Sequence, residues 1–160
     1  MGDAAARRTF LISSAFAAGT LLTGLRAAQA AEPQALKSYI DVDPALFVGI
    51  NRVKDPGNLT ALEKKHAPVI DLPAKVKAGE PFTVKVAVGE TIHPMATGHY
   101  IHCVDVYVGN EPAGRMEFSP NFGIPEASLT LKLDKPVTLV VREYCNLHGL
   151  WESRKDVEIG

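Results

Sequence analysis

Residues 82–88 (FTVKVAV) alternate apolar side chains with mostly polar ones. Successive side chains of an extended strand point to opposite faces, so this alternation predicts a strand with one buried face. Residues 102–108 (HCVDVYV) repeat the pattern and end at the turn dipeptide Gly109-Asn110. The two stretches therefore predict two half-buried β-strands.

Four further short strands are predicted toward the C-terminus, at residues 114–118, 128–133, 137–143 and 151–159. Connections that contain proline or glycine separate them, and no long helical periodicity interrupts the series. Six or seven short strands at this spacing are typical of an antiparallel β-sandwich. We therefore expect an all-β fold.

The first thirty residues have the features of an export signal. A twin-arginine pair, Arg7-Arg8, precedes an apolar stretch at residues 10–25, and Ala28-Gln29-Ala30 has the pattern of a cleavage site. The apolar stretch is shorter than the ~20 residues that cross a bilayer. A cleaved twin-arginine signal is therefore favoured over an N-terminal anchor. We expect a periplasmic or otherwise exported protein without a membrane span after cleavage.

Residues 31–61 are predicted to form an N-terminal extension, and residues 62–160 the β domain. The extension contains turn-forming residues, and Asn58 or Thr60 is positioned to cap a brief helical turn that runs to Lys64. We expect the extension to pack on the outside of the domain or against a neighbouring subunit.

Charge and cysteine content narrow the function classes. Removal of residues 1–30 takes away three arginines and one aspartate, so the net charge falls from −1 to −3. A weakly acidic domain lacks the basic surface that nucleic acid requires. The two cysteines, Cys103 and Cys145, first suggest a disulfide in an exported protein. The residues around Cys145 are more typical of a metal site, so a disulfide is disfavoured.

Four histidines and one cysteine lie beside the ends of predicted strands, and together they offer four imidazoles and a thiol to a metal. The remaining histidine, His102, falls inside a strand pattern and is expected to lie on the surface. Cys103 is expected to be a partly buried free thiol. The candidate ligands are His66, His93, His99, Cys145 and His148.

This ligand set favours a redox-active metal. Five ligands are too many for a closed tetrahedral zinc site, and they leave one octahedral position open. A thiolate among imidazoles narrows the choice to redox-capable or soft metals, and an open position opposite a thiolate suits small-molecule binding at iron.

The main alternative to an iron protein that binds a small molecule is a copper electron-transfer protein of the cupredoxin kind. Residues 144–148 (YCNLH) resemble its late copper loop, although no methionine follows His148 and two histidines go unused. A non-catalytic iron redox sensor or carrier is a further alternative.

Several segments together resemble the superoxide reductase family, specifically the neelaredoxin type that lacks a rubredoxin-like domain. The matching segments span about the last 100 residues. They are residues 65–70 (KHAPVI), 93–94 (HP), 99–101 (HYI), 104–107 (VDVY) and 145–151 (CNLHGLW). The resemblance implies an immunoglobulin-like antiparallel β-sandwich of about seven strands.

The resemblance also implies a metal centre and a reaction. His66, His93, His99 and His148 would be equatorial ligands of one iron, and Cys145 its axial ligand. The implied reaction is the one-electron reduction of superoxide to hydrogen peroxide. Relatives of this size are often tetramers, and the implied electron donor is rubredoxin-like or, for an exported protein, a periplasmic cytochrome.

Lys65 is the candidate catalytic residue, because its charge would attract an anion and it could assist proton delivery.

The chain departs from the family where a glutamate commonly lies two residues before the first histidine ligand. Lys64 holds that position here, and Glu63 lies one residue further upstream. Gly98 likewise replaces a glutamate often found before the last histidine of the second loop.

Overall fold

The structure, a computed structural model, describes residues 43–160. The predicted export signal and residues 31–42 of the extension lie outside these residues. The described chain begins with a 3₁₀ turn at Pro44–Phe47 and contains one α-helix, α1, at Ala61–His66. The strands are β1 (Ile50–Asn51), β2 (Pro68–Asp71), β3 (Pro81–Val88), β4 (Ile101–Val108), β5 (Glu111–Glu117), β6 (Glu126–Lys132), β7 (Val137–Cys145) and β8 (Gly149–Val157).

The strands form two sheets that share one core. The larger sheet has the order β1-β8-β7-β4-β5, and the smaller has the order β2-β3-β6. All neighbouring strands are antiparallel except β1 and β8, which are parallel. The predicted all-β sandwich is therefore confirmed.

Strand β3 shows why the alternating sequence predicts the core correctly. Phe82, Val84, Val86 and Val88 are all buried, whereas the side chains between them are exposed or half-buried. The buried set packs in one cluster with residues of the other sheet, including Leu139. Removal of this apolar surface from water stabilises the sandwich by about 25 cal/mol for each Å² buried.

The N-terminal extension and the helix differ in detail from the sequence prediction. Strand β1, which was not predicted, joins the edge of the five-stranded sheet, so the described part of the extension belongs to the same fold. Helix α1 is capped by Thr60, one of the two predicted caps, but it continues beyond Lys64 to His66. In the range 43–160, no helix is long and apolar enough to cross a membrane.

The predicted ligands meet at one end of the sandwich. Strand β7 ends at Cys145, which pairs with Ile101 at the start of β4. The β3–β4 and β7–β8 connections therefore lie at this end, and the end of α1 joins them because Thr91 N–H donates to the Lys64 carbonyl (3.2 Å).

Candidate metal centre

Five side chains from three separate parts of the chain form one cluster. One potential ligand atom from each lies within 4.8 Å of every other, and among residues 43–160 no carboxylate belongs to the group. The members are His66, His93, His99, Cys145 and His148.

The four imidazole rings form a square. The centroids of rings adjacent around the square, in the order His66, His93, His99, His148, are 4.5–4.8 Å apart, and each adjacent pair is close to perpendicular. His66 and His99 lie across the diagonal, with centroids 6.1 Å apart and ring planes 28° apart. The sulfur of Cys145 contacts two members of the square, at 3.7 Å from His93 Nε2 and 3.5 Å from His148 Nδ1.

The distances between donor atoms fit a single metal ion. His66 Nε2 lies 3.1 Å from His93 Nε2, and His99 Nε2 lies 3.1 Å from His148 Nδ1. Two nitrogens that bind one ion at a right angle, each about 2.1 Å away, are about 3 Å apart. A square of four nitrogens and one sulfur suits a redox-active transition metal and does not fit the two-histidine arrangement of a blue-copper site.

Local backbone structure fixes the first two candidate ligands. His66 is the last residue of α1, and its Nδ1–H is placed to donate to the Leu62 carbonyl (2.8 Å), which leaves the Nε2 lone pair free. The Nδ1 of His93 likewise lies 2.7 Å from the Pro94 carbonyl. Both rings are therefore oriented for binding through Nε2.

A glycine brings these two ligands together. Gly89 follows β3 with a φ of +81°, and a Cβ there would lie 2.5 Å from the Lys65 carbonyl oxygen. Any other residue would push the β3–β4 connection away from the end of α1. The close approach thus sets the distance between His66 and His93.

The second pair of connections is joined through Asn146. Its side-chain oxygen accepts from the Tyr100 N–H (2.8 Å), and its side-chain amide donates to the Gly98 carbonyl (3.1 Å). The Asn146 N–H also donates to the Tyr100 carbonyl (3.1 Å). These bonds hold the backbone on both sides of His99 against the residue that follows Cys145.

Trp151 supports two ligands at once. Its ring is stacked on His66 with centroids 5.3 Å apart, and its Nε1–H donates to the His148 carbonyl (3.0 Å). The residue is buried. It therefore restricts both the ring of His66 and the backbone of His148.

Burial keeps the imidazoles neutral. Loss of contact with water lowers the pKa of His66 to about 4 and that of His93 to about 3, and the neighbouring imidazoles act in the same direction. Burial also lowers the pKa of His99 and of His148, with Lys65 contributing to both. Neutral imidazoles can bind a cation at pH 7 without first losing a proton.

The thiol differs from the imidazoles, because burial raises the pKa of Cys145 to about 11. Backbone hydrogen bonds from Leu147 and His148 oppose this effect but do not reverse it. Metal binding must therefore displace the thiol proton.

The sequence model of the family described as "Desulfoferrodoxin" matches residues 58–154, well over half of the chain. The chain belongs to the desulfoferrodoxin family. A "Putative superoxide reductase" from Methanocaldococcus jannaschii is 37% identical over 115 residues, which cover 69% of this chain and 95% of that protein. A "Neelaredoxin" from Megalodesulfovibrio gigas is 35% identical over 115 residues, with 60% and 88% covered.

Solved structures that carry the name superoxide reductase (neelaredoxin) share the fold. A point variant of a superoxide reductase (neelaredoxin) from Ignicoccus hospitalis has a TM-score of 0.60 and 38% identity, covering 69% of this chain and 94% of that one. A second I. hospitalis structure has a TM-score of 0.60 and 35% identity, covering 78% of this chain and all of that one. The sequence resemblance to this family is confirmed.

The carboxylate of Glu63 hydrogen-bonds to Lys54 and Thr60 and does not belong to the cluster of candidate ligands. Its two carboxylate oxygens accept from Lys54 N–H (3.0 Å) and from the N–H (2.7 Å) and hydroxyl (2.8 Å) of Thr60, in the capping box of α1. These hydrogen bonds lower the pKa of Glu63, the one from the Thr60 backbone most strongly. In this desulfoferrodoxin-family chain Glu63 is therefore committed to the helix cap.

His102 and Cys103 lie outside the cluster, as the sequence predicts. His102 is half-buried on β4. Cys103 is a free thiol, as expected, but it is more deeply buried than predicted, at 4% exposed, and its sulfur accepts from Arg115 (3.2 Å). Cys145 is also free, so the two cysteines form no disulfide.

Sequence reasoning missed three supporting residues. Asn146 and Trp151 lie inside the matched segment 145–151, yet the sequence gives no partner for either side chain. Asn51 precedes the region that the desulfoferrodoxin model matches, and no motif distinguishes it. The spacing of Thr60 and Glu63 is that of a capping box, so this signal could have shown that the carboxylate of Glu63 is occupied.

Proposed function

We propose that the protein is a superoxide reductase that converts superoxide, one electron and two protons into hydrogen peroxide at one iron. The observation that carries this proposal is the square of four neutral imidazoles with the sulfur of Cys145 in contact with two of them. Relatives that are 35–37% identical carry the names superoxide reductase and neelaredoxin. Iron would be held by His66, His93, His99, His148 and Cys145.

The bound iron would supply the electron and a positive charge that attracts the anion. The protein contributes ligands that fix the charge of the centre, since four neutral imidazoles add none and one thiolate adds a single negative charge. Cys145, as a ligand, would also donate electron density through its sulfur, as thiolates do in haem proteins. The described carboxylate nearest in sequence to the first ligand, Glu63, is held in the helix cap.

Lys65 is proposed to attract superoxide and to hold a proton for the product. Its side chain is exposed, and its charge is close enough to lower the pKa of His66, His99 and His148. Such a charge beside an open site raises the association rate of an anion, and salt weakens the effect. Lys64 is also exposed but is not among the charges that lower the pKa of these histidines, so it provides a matched control.

The electron is proposed to come from another protein. Within residues 43–160 the structure contains no second group of potential metal ligands. A rubredoxin-like protein or a periplasmic cytochrome is the proposed donor, the latter if the twin-arginine signal directs the chain to the periplasm. Assembly into a homo-oligomer, with a tetramer as the expected form, is also a proposal.

The first test is to purify the protein from its native compartment and to measure the metal content. About one iron per chain is expected, and a full complement of copper in its place would refute the proposal. Reduced protein mixed with superoxide should consume it and form hydrogen peroxide with little oxygen. Continued turnover with a reductant separates an enzyme from an iron sensor or carrier, which would react no more than once.

Lys65→Ala tests the second part of the proposal. The second-order rate constant with superoxide should fall by about tenfold, and its dependence on salt should weaken. Lys64→Ala should change both by much less. Equal effects of the two substitutions would show that Lys65 has no special role, while leaving the superoxide chemistry itself intact.

A further inference from the structure

We propose that residues 44–51 form a strap that positions the ligand loop Cys145–Gly149, and that Asn51 is the residue through which it acts. Asn51 Nδ2 lies 2.8 Å from the Leu46 carbonyl, 3.1 Å from the Leu150 carbonyl and 3.4 Å from the His148 carbonyl. The side-chain amide has two hydrogens to share among three acceptors. It thus links the strap to the backbone on both sides of Gly149.

The strap lies directly on the ligand loop. A Cβ on Gly149 would overlap the Leu46 carbonyl oxygen, and Gly149 has a φ of +75°. The loop can therefore turn and accept the strap only with glycine at this position. Strand β1 continues the contact by pairing Ile50 with Leu150 and Asn51 with Trp151.

This backbone pairing is short, so the side chain of Asn51 carries much of the attachment. Strand β1 has two residues, and a pairing of this length has little stability of its own. Truncation of Asn51 would remove a donor from the Leu46 and Leu150 carbonyls, and would leave the His148 carbonyl with the donor of Trp151 alone. Loss of a partner for a half-buried backbone group costs more than the net value of the bond itself.

The strap acts on a ligand whose position follows the backbone closely. His148 faces the cluster through Nδ1, which lies 3.5 Å from Cys145 Sγ and 3.1 Å from His99 Nε2. Only Cβ and Cγ separate Nδ1 from the backbone Cα, so a shift of the His148 peptide moves the donor atom directly. The carbonyl of that peptide is held by Trp151 on one side and by Asn51 on the other.

The strap gives a structural role to residues that precede the region matched by the family model. The desulfoferrodoxin model begins at residue 58, whereas the strap ends at Asn51. The loop Cys145–Gly149 supplies two of the five ligands. A segment outside the matched region thus sets the geometry of a ligand within it.

The test is Co²⁺ binding by the metal-free full-length chain, which requires no superoxide and no electron donor. Asn51→Ala should raise the Co²⁺ dissociation constant by about 10- to 100-fold, the usual range for a residue that orients a metal ligand. The absorption band that arises from charge transfer between thiolate and Co²⁺ should shift or lose intensity. Asn51→Asp should be worse, because a carboxylate would face three carbonyl oxygens.

Thr138→Ala is the matched control. Thr138 donates to Asp156 (2.6 Å) across the same pair of strands, β7 and β8, toward the end far from the cluster. Its loss should leave the Co²⁺ affinity and spectrum unchanged. If Asn51→Ala does not fold, as judged by circular dichroism, Asn51→Ser retains one donor and should give a smaller loss of affinity.

Two results would overturn the proposal. One is an Asn51 variant that folds and binds Co²⁺ with the affinity and spectrum of the parent. The other is an equal loss of affinity in Thr138→Ala, which would show that general stability is responsible. Either result leaves the proposed superoxide chemistry untouched.

Discussion

Two sets of ionisable groups, one around Glu152 on β8 and the other at the metal centre, balance charge in opposite ways. The side chain of Glu152 is 0% exposed, and its oxygens accept from Arg52, Arg142 and Arg154 at 2.8–3.0 Å. Burial alone would raise its pKa, but these hydrogen bonds lower it to about 2. At the metal centre, burial leaves the imidazoles neutral and the thiol protonated.

The comparison distinguishes a structural cluster from a binding site. Around Glu152 the protein supplies both signs of charge, so the group is complete without a ligand. At the metal centre the protein supplies five donor atoms, all within 4.8 Å of one another, whose lone pairs can converge on one cation. Burial of polar atoms is costly unless they are partnered, so the second set is the one that calls for a metal.

The largest expected effect is that of Cys145→Ser on the metal centre. Loss of the thiolate should lower the affinity for metal by more than about 100-fold, since the effect of a ligand exceeds that of its supporting residues. Superoxide reduction should be lost with it. Cys103→Ser is the matched control, because Cys103 is also a buried free thiol but contacts Arg115 and not the cluster.

The number of protons released on metal binding tests the protonation states of the five side chains. Metal binding at pH 7 should release about one proton per ion, from Cys145, because the four imidazoles are already neutral. Calorimetry in buffers with different ionisation enthalpies measures this number. Release of two or more protons would mean that some of the histidines are charged in the metal-free protein.

Glu152→Gln should destabilise the cluster of Glu152 and its three arginines and leave the metal affinity nearly unchanged. Removal of the charge leaves three arginines close together, and about 2–3 kcal/mol of unfolding free energy should be lost, less than for a fully enclosed pair because the arginines are partly exposed. Denaturation of the metal-free chain measures the loss, and metal affinity should stay within about twofold of the parent. A larger fall in affinity would show that the two sets are coupled.

The acid dependence of Glu152 has a definite sign. Its pKa is 4.5 in an ordinary setting and about 2 in the folded protein. Its contribution to stability is therefore complete above about pH 4.5 and disappears as the pH falls through about 2. Glu152→Gln should remove this part of the acid sensitivity, and an unchanged acid transition would contradict the assignment.

Sequence alone predicts the features of the fold and of the metal centre that depend on local pattern. Alternation predicts the buried face of β3 because a strand exposes every second side chain. His93, His99, Cys145 and His148 could be identified because each follows or precedes a predicted strand. The square they form with His66 could not be derived from spacing, because it depends on how three connections meet at one end of the two sheets.

The undetected features are those in which one residue acts on a distant one. Asn51 contacts the carbonyl of His148, 97 residues away in sequence, and no local pattern encodes that contact. The arginines that surround Glu152 come from three different parts of the chain, at separations of up to 100 residues. Such contacts follow from the order β1-β8-β7 in the sheet, which strand patterns do not specify.

Thr60→Ala should have a smaller effect, confined to the helix that carries His66. The change removes the side chain that accepts from Glu63 N–H (3.2 Å) and one of the donors to the Glu63 carboxylate. Loss of a capping residue costs about 1 kcal/mol. The free energy of unfolding and the metal affinity should both fall slightly. Thr60→Ser should restore both, and failure to do so would refute the role of the cap.

The smallest expected effect concerns Glu143, which follows Arg142 on β7. Both of its carboxylate oxygens are buried without a hydrogen-bond partner, and burial raises its pKa well above the ordinary 4.5. As the pH rises above 4.5, the unfolded chain ionises first, so the free energy of unfolding falls. Glu143→Gln should flatten this slope and change stability by no more than about 1 kcal/mol at pH 5.

Urea denaturation of the metal-free chain at pH 5 and pH 8 measures the slope for Glu143. Glu126→Gln is the control, since Glu126 is exposed on β6 and its substitution should leave the slope unchanged. A slope in Glu143→Gln equal to that of the parent would mean that the carboxyl is ionised and partnered in solution. Glu143 on β7 would then resemble Glu152 on β8, as an ionised carboxylate with partners, and the two residues would no longer differ in how their charge is balanced.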